Sequence, residues 1–400
     1  MTDPTSWQPP AGAAPAAAPS PYADPASVPP PPGGQPGWTP QSSPQPGWTP
    51  PPKPGLIPLR PLTLGTLLGA AFQVMRRNPR PTFGFSLVVM GLIYIVTLVI
   101  VGVVTFFAFS RVQFATGADA DAIAAGAVGT VALSALVPIA LAVVGSAVLQ
   151  GVISLEVARG TLGEKLRLPG LWRAAKGRIG ALIGWSAIIF GVVVVAIAIV
   201  AGAIALLVAL GGVAGIVVGV LLGFLFAAVA VAATAWLGTK LALVPSVLML
   251  ERLPLRDAVR RSWSLTGGVF WRTFGILLLV YVIIQVATSI ITAPLNIVAG
   301  FAPTFLAPNG SDQAGLVTLA VVSLVSIVLS VVFGAITSIV QSSTPALLYI
   351  DIRMRKEGLD LELSRFVEAR QAGDTSVQDP YLLKASPTTP VASPTTSPWS

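Results

Sequence analysis

The sequence predicts an all-α, polytopic membrane protein: six transmembrane helices arranged as three hairpins, each preceded by an amphipathic interfacial helix. Three observations carry that expectation. Of the 24 Lys and Arg residues, 22 fall in four short segments that alternate with long apolar runs. Only 10% of the chain is charged and 54% is hydrophobic, with a mean hydropathy of +0.81, far from the balance of a soluble domain. Finally, one basic, amphipathic pattern recurs three times, each time just before a long apolar run.

The runs cover 83–110, 122–155, 179–239 and 273–350, the last interrupted only by Asp312. About 20 apolar residues cross the hydrocarbon core, so the third and fourth must each fold back. In lipid every backbone N–H and C=O needs an internal partner, which leaves helices or closed barrels. The alternating segments of roughly ten residues that a barrel needs are absent. The six spans fall at 83–110, 128–150, 179–210, 213–236, 273–291 and 316–338. The third and fourth divide at Gly211-Gly212, the helix-breaking pair of that run.

Loop charge orients the spans. The cationic segments hold Lys53 to Arg80, Arg159 to Arg178, Arg252 to Arg272 and Arg353 to Lys384. The opposite loops hold Arg111 beside Asp119, Asp121 and Asp312. Basic loops stay inside, so both termini are expected in the cytoplasm of a bacterial plasma (inner) membrane. No signal peptide is visible, and the first span is expected to direct insertion. Arg outnumbers Lys 18 to 6, a bias of high-G+C genomes.

The chain divides into a Pro-rich tail (1–55), a membrane domain (56–366) and a second tail (367–400). Both tails lack the apolar surface to offset chain entropy and are expected to be disordered. The first repeats Gln-Pro-Gly-Trp-Thr-Pro at 35–40 and 45–50, a spacer pattern whose Trp residues are candidate docking points.

Before span one, Leu64, Leu67, Leu68, Ala71, Phe72 and Met75 recur at helical spacing and run into Arg76 and Arg77. Leu168, Leu171, Trp172 and Ala175 precede span three, with Arg173 and Lys176 off that face. Leu255, Ala258, Val259 and Trp263 precede span five, opposite Arg256, Arg260 and Arg261. Such helices lie in the interface with the apolar face in acyl chains and the cations on phosphates. Arg76, Arg77, Arg173, Lys176, Arg256, Arg260 and Arg261 are therefore candidate headgroup contacts, and the expected partners are anionic membrane lipids rather than nucleic acid. A membrane-protein partner or a second copy is also compatible with these surfaces.

The exits of the even-numbered spans match as well. Pro245 to Glu251 and Pro345 to Asp351 each read Pro, five mainly apolar residues, acid; Gln150 to Glu156 keeps the register without the proline. Each acid is soon followed by an arginine: Arg159, Arg252 and Arg353.

The stretches Pro58-Leu-Arg-Pro-Leu-Thr-Leu-Gly65 and Arg76-Arg-Asn-Pro79 resemble the entry of an actinobacterial multi-pass family. That family is labelled as the membrane domain of glycerophosphoryl diester phosphodiesterase. Ala258-Val-Arg-Arg-Ser-Trp263, Phe270-Trp-Arg-Thr-Phe274 and the run from Leu348 to Glu362 are similar to its other hallmarks. The resemblance covers about 56–366 and implies a membrane region of the kind sometimes attached to a phosphodiesterase domain. Catalysis by that attached domain needs a barrel of about 250 residues with carboxylates and His.

This chain has no His and no Cys, and no phosphate-binding Gly-rich loop, HExxH or GxSxG element. A non-enzymatic protein without cofactor or metal is the expectation, with a lipid-associated scaffold as the leading role and a transporter or flippase as the alternative. Lys240 separates the two. It lies eleven residues before Glu251 with only uncharged residues between, which in a straight helix sets it about 16 Å deeper. Intramembrane charges mark pathways or paired sites; Gln150, Gln285 and Gln341 are its candidate partners. If Pro245 bends the chain instead, Lys240 meets the headgroups.

Overall fold

The computed structural model describes residues 55–114, 116, 119–306, 313–374 and 376–382; among them every regular element is helical. Residues 1–54 and 383–400, with the disorder expected of them, and Asp312 lie outside the described residues.

The helices follow the charge pattern. A basic amphipathic helix α1 (Leu64–Arg77) leads through one π-helical turn (Arg80–Gly84) into α2 (Phe85–Gln113). Then come α3 (Ala120–Ser134) and α4 (Leu136–Thr161). The second set is α5 (Leu168–Lys176), α6 (Ile179–Leu241) and α7 (Val244–Leu250). The third is α8 (Leu255–Thr266), α9 (Phe270–Leu306) and α10 (Gln313–Glu357), followed by α11 (Leu359–Gln371). Thr63 caps α1, its hydroxyl accepting from the Thr66 amide; α5 and α7 carry Pro in their first turn, where its missing N–H costs nothing.

Five helical stretches among the described residues are long and apolar enough to cross a membrane: Arg80–Gln113, Ala120–Thr161, Ile179–Leu250, Phe270–Pro294 and Ala320–Glu357. Large apolar side chains along them, among them Phe106, Ile199, Leu221 and Phe224, stay exposed. In water that surface would cost about 25 cal/mol per Å²; lipid removes the penalty.

The third stretch is 72 residues long and reverses at Gly212, which stands at φ 52°, ψ −129°, a backbone open to glycine. The limbs on either side then pack closely. A Cβ on Gly215 would lie 1.9 Å from the Leu207 carbonyl oxygen, and one on Gly219 3.1 Å from Ile204 Cγ2. Gly215→Val is expected to cost at least about 1–3 kcal/mol through forced separation of the limbs, read by thermal unfolding in detergent. Gly223→Ala, whose Cβ meets Ile204 at an ordinary 3.8 Å, serves as control; equal stability of the two variants would refute the packed turn.

The described helices outrun the expected spans at their exits. α4 continues past Gln150 to Thr161, α6 past Trp236 to Leu241, and α10 past Ser338 through Pro345 to Glu357. These extensions form the core. Val152, Ile153 and Val157 of α4, Val244 and Val247–Leu250 of α7, and Ala346–Ile350 of α10 are buried against one another.

The amphipathic helices cover this core. Leu67, Ala70, Ala71 and Val74 of α1, Leu171 and Ala175 of α5, and Ala258 and Leu265 of α8 are buried in it. Their apolar faces therefore turn mainly to protein, a correction to the expectation of acyl-chain contact. An apolar stripe reads the same to either medium. What remains exposed is a flank: Leu64 and Phe72, Leu168 and Trp172, and Trp263.

Two straps close the core. On the N-terminal side the Leu56 amide donates to the Gly160 carbonyl at 2.8 Å, and Leu56, Ile57 and Leu62 are buried. At the other end, folded structure continues past residue 366: α11 runs to Gln371 and Tyr381 is buried. The Tyr381 hydroxyl meets Thr161 and donates to the Ala158 carbonyl at 3.2 Å. Burial raises the Tyr381 pKa well above that of a free phenol, which keeps that donor protonated.

Candidate functional site

The exit acids are where the charge of this fold converges. Glu156, Glu251 and Asp351 occupy the same register of the three extensions, and each is at most 5% exposed. A buried carboxylate needs partners, and each finds them differently.

Asp351, at the end of the third exit, accepts the Leu62 amide of the N-terminal strap at 2.7 Å. It also pairs with Arg272 at 2.9 Å and with Arg355, one turn on, at 3.1 Å. Both arginines donate in addition to the Leu62 carbonyl, so one residue of the strap is held by both its backbone groups.

Glu251, at the end of the second, accepts from Arg261 Nε through both oxygens, at 3.1 and 3.2 Å, and from the Tyr349 hydroxyl at 2.8 Å. Arg353 stands 3.8 Å away. It donates to Tyr349, Glu357 and the Tyr381 carbonyl. Arg261 reaches Glu357 as well, at 2.6 Å. Two acids and two arginines thus close a neutral cluster around a buried tyrosine.

Glu156 takes the Asn78 amide at 3.0 Å on Oε1; its Oε2 is buried without a hydrogen-bond partner among the described residues.

A second regularity lies at the junctions. Asn78 and Arg178 stand between an amphipathic helix and the apolar helix that follows, and Arg272 lies in the first turn of such an apolar helix, α9. Each reaches the exit of its own set: Asn78 to Glu156, Arg178 to the carbonyls of Arg252 and Leu253, and Arg272 to Asp351. Arg252 sits at φ 56°, uncommon for a residue with a side chain, and that turn presents the carbonyls to Arg178.

The residues singled out from the sequence separate into two groups. Arg77 donates to the Gly160 carbonyl and Arg261 is engaged by Glu251 and Glu357, so both face protein. Arg76, Arg173, Lys176, Arg256 and Arg260 are exposed. Lys240 is half-buried near the end of α6, its Nζ 5.3 Å from the Trp263 ring centre and 5.8 Å from that of Phe270. The Ser262 hydroxyl donates to its carbonyl at 2.7 Å. Beyond Leu241 the chain turns at Ala242 and Leu243 into α7.

A groove of about 680 Å³ runs between α6, α9 and α10; its wall includes Thr234, Gly238, Thr239, Phe274, Tyr281 and Gln341. Gln341 thus comes close to the neighbours of Lys240. Gln150 and Gln285 are not in that wall; Gln285 is exposed. The sequence reading missed Asn78, Arg272, Tyr349, Arg353 and Tyr381. The shared acid register and the polar residue before each odd-numbered span were the available signals.

Helices of this length and apolarity, closed at one end by a buried polar core, define a multi-pass integral membrane protein. Residues 217–357 match the family model described as the membrane domain of glycerophosphoryl diester phosphodiesterase. The match takes in Lys240, Glu251, Asp351 and the arginines and tyrosine that hold them. It also takes in the quoted stretches at 258–263 and 270–274, and stops short of the entry at 58–79. No curated protein and no solved structure matches the chain.

Proposed function

We propose that the chain crosses a bacterial inner membrane six times with both termini in the cytoplasm, and that it acts without catalysis as a lipid-associated scaffold. The observation that carries this reading is the fastening of all three helix sets at one end, through Glu156, Glu251 and Asp351. That end also bears the four basic segments, which belong inside. The reversal at Gly212 supports the even count of crossings. A closed polar core of this kind holds helices in fixed relation, which suits an organiser of the surrounding bilayer.

The transport alternative needs a polar cavity around Lys240. Against it stands the setting of that lysine: beside the aromatic residues of α8 and the start of α9, just before the chain turns away. This supports a position at headgroup level, where a snorkelling lysine is at ease.

The chain has no native cysteine, so single cysteines test the topology directly. Those placed near Asp119, Gly211 and position 312 should react with an impermeant thiol reagent in intact cells. Those near Lys165, Arg256 and Glu357 should not, and labelling of this second group would overturn the proposed orientation. In liposomes, the purified protein should move a fluorescent lipid between leaflets no faster than protein-free controls. Faster movement would favour the flippase reading.

A further inference from the structure

We propose that the groove between α6, α9 and α10, together with Lys240, Arg256 and Arg260, is the seat of one anionic phospholipid. This rests on the orientation proposed above, which puts α8 at the cytoplasmic headgroups.

The first observation is continuity. Phe274, in the groove wall, stacks on Phe270 with ring centres 6.1 Å apart and planes 3° from parallel. Phe270 and Trp263 both contact the Lys240 ammonium, with ring centres 5.8 and 5.3 Å from it. Trp263 then shares the wall of a second recess, about 420 Å³, with Arg256 and Arg260. The groove of about 680 Å³ falls within the roughly 300–1,000 Å³ of small-molecule sites. An apolar channel thus leads past a cation into a basic recess, the order of parts in a phospholipid.

The second observation is charge. Arg261, Arg272, Arg353 and Arg355, on the same helices, all pair with acids. Lys240, Arg256 and Arg260 have no ion pair among the described residues. Arg256 and Arg260 are one turn apart and so share a face; the only acid in their recess is Asp257. Three unpaired cations against one carboxylate favour a phosphate group. The aromatic rings hold the lysine by cation–π attraction where a carboxylate would neutralise it. The groove selects a lipid over free phosphate, because only a lipid brings an acyl chain.

Native mass spectrometry of the full chain, extracted in detergent with equal amounts of phosphatidylglycerol and phosphatidylcholine, tests the seat. One phosphatidylglycerol per chain should survive activation. The double variant R256Q/R260Q should lose it at least about tenfold, at about 1 kcal/mol per basic residue near an anionic surface. Gly238→Leu should lose it as well. A Cβ there meets nothing within 4 Å, so the side chain enters the groove without disturbing the fold, and an unchanged melting temperature verifies that. Equal retention of phosphatidylcholine, or full retention in both variants, would overturn the proposal. Displacement by inorganic phosphate, with Gly238→Leu silent, would overturn it in favour of a simple anion site. Cysteine labelling judges the orientation separately: correct topology without retained lipid removes the seat alone.

Discussion

Glu251→Ala is expected to lower unfolding free energy by about 3–5 kcal/mol, the usual cost of removing one partner from a buried ion pair. The mutation takes from Arg353, 4% exposed, one of its two carboxylates and leaves it Glu357; it also takes from the Tyr349 hydroxyl its acceptor and frees Arg261 from two of its contacts. Unfolding in mixed micelles, followed by tryptophan fluorescence, measures the change. The double variant with Arg353→Met should be more stable than the two single losses sum to, because both side chains belong to one network and such losses are not additive. A loss below about 1 kcal/mol would mean that the cluster is solvated and does not hold the second and third helix sets together.

The second large effect is expected at Asp351. Asp351→Ala removes two arginine partners and the acceptor of the Leu62 amide together; a loss of about 3–5 kcal/mol is again expected. Asp351→Asn separates the contributions. It keeps an oxygen for Leu62 and discards the charge, so the strap should stay docked while the ion pairs with Arg272 and Arg355 are lost. Amide exchange at Leu62 reads the difference: fast in the Ala variant, near wild type in the Asn variant. Equal exchange in both would show that the strap is held by burial of Leu56, Ile57 and Leu62 alone. Arg355→Ala should cost little, since its side chain is 39% exposed and solvent screens the pair.

Much of the architecture was written locally and could therefore be read. Apolar runs, basic segments and the glycine pair at 211–212 are all short-range signals, and the helices and the reversal at Gly212 follow them. The register of Glu156, Glu251 and Asp351 was visible too, but its meaning was not. An acid at the end of an apolar run looks the same whether it meets water or an arginine from elsewhere in the fold. Arg261 shows the ambiguity from the other side. By helical phase it joined Arg256 and Arg260 on a polar face, yet Glu251 and Glu357 draw it inward. Tyr381 was hidden differently: one aromatic at the edge of a Ser/Thr/Pro-rich tail carries no periodic signal, and only the pocket made by Ala158, Thr161 and Arg353 reveals its place.

The strap at Leu62 also sets an order of events during synthesis. Leu62 leaves the ribosome early, but the carboxylate that takes its amide lies 289 residues later. At about 5–20 residues per second that interval lasts roughly 15–60 s. For all of it, the strap waits without its receptor while α2 to α9 are inserted. The strap can dock only once α10 has been made, so its arrival reports that the last helix is present. A chain truncated before residue 351 would hold its early helices in the bilayer and still present an undocked Leu62 strap to proteases.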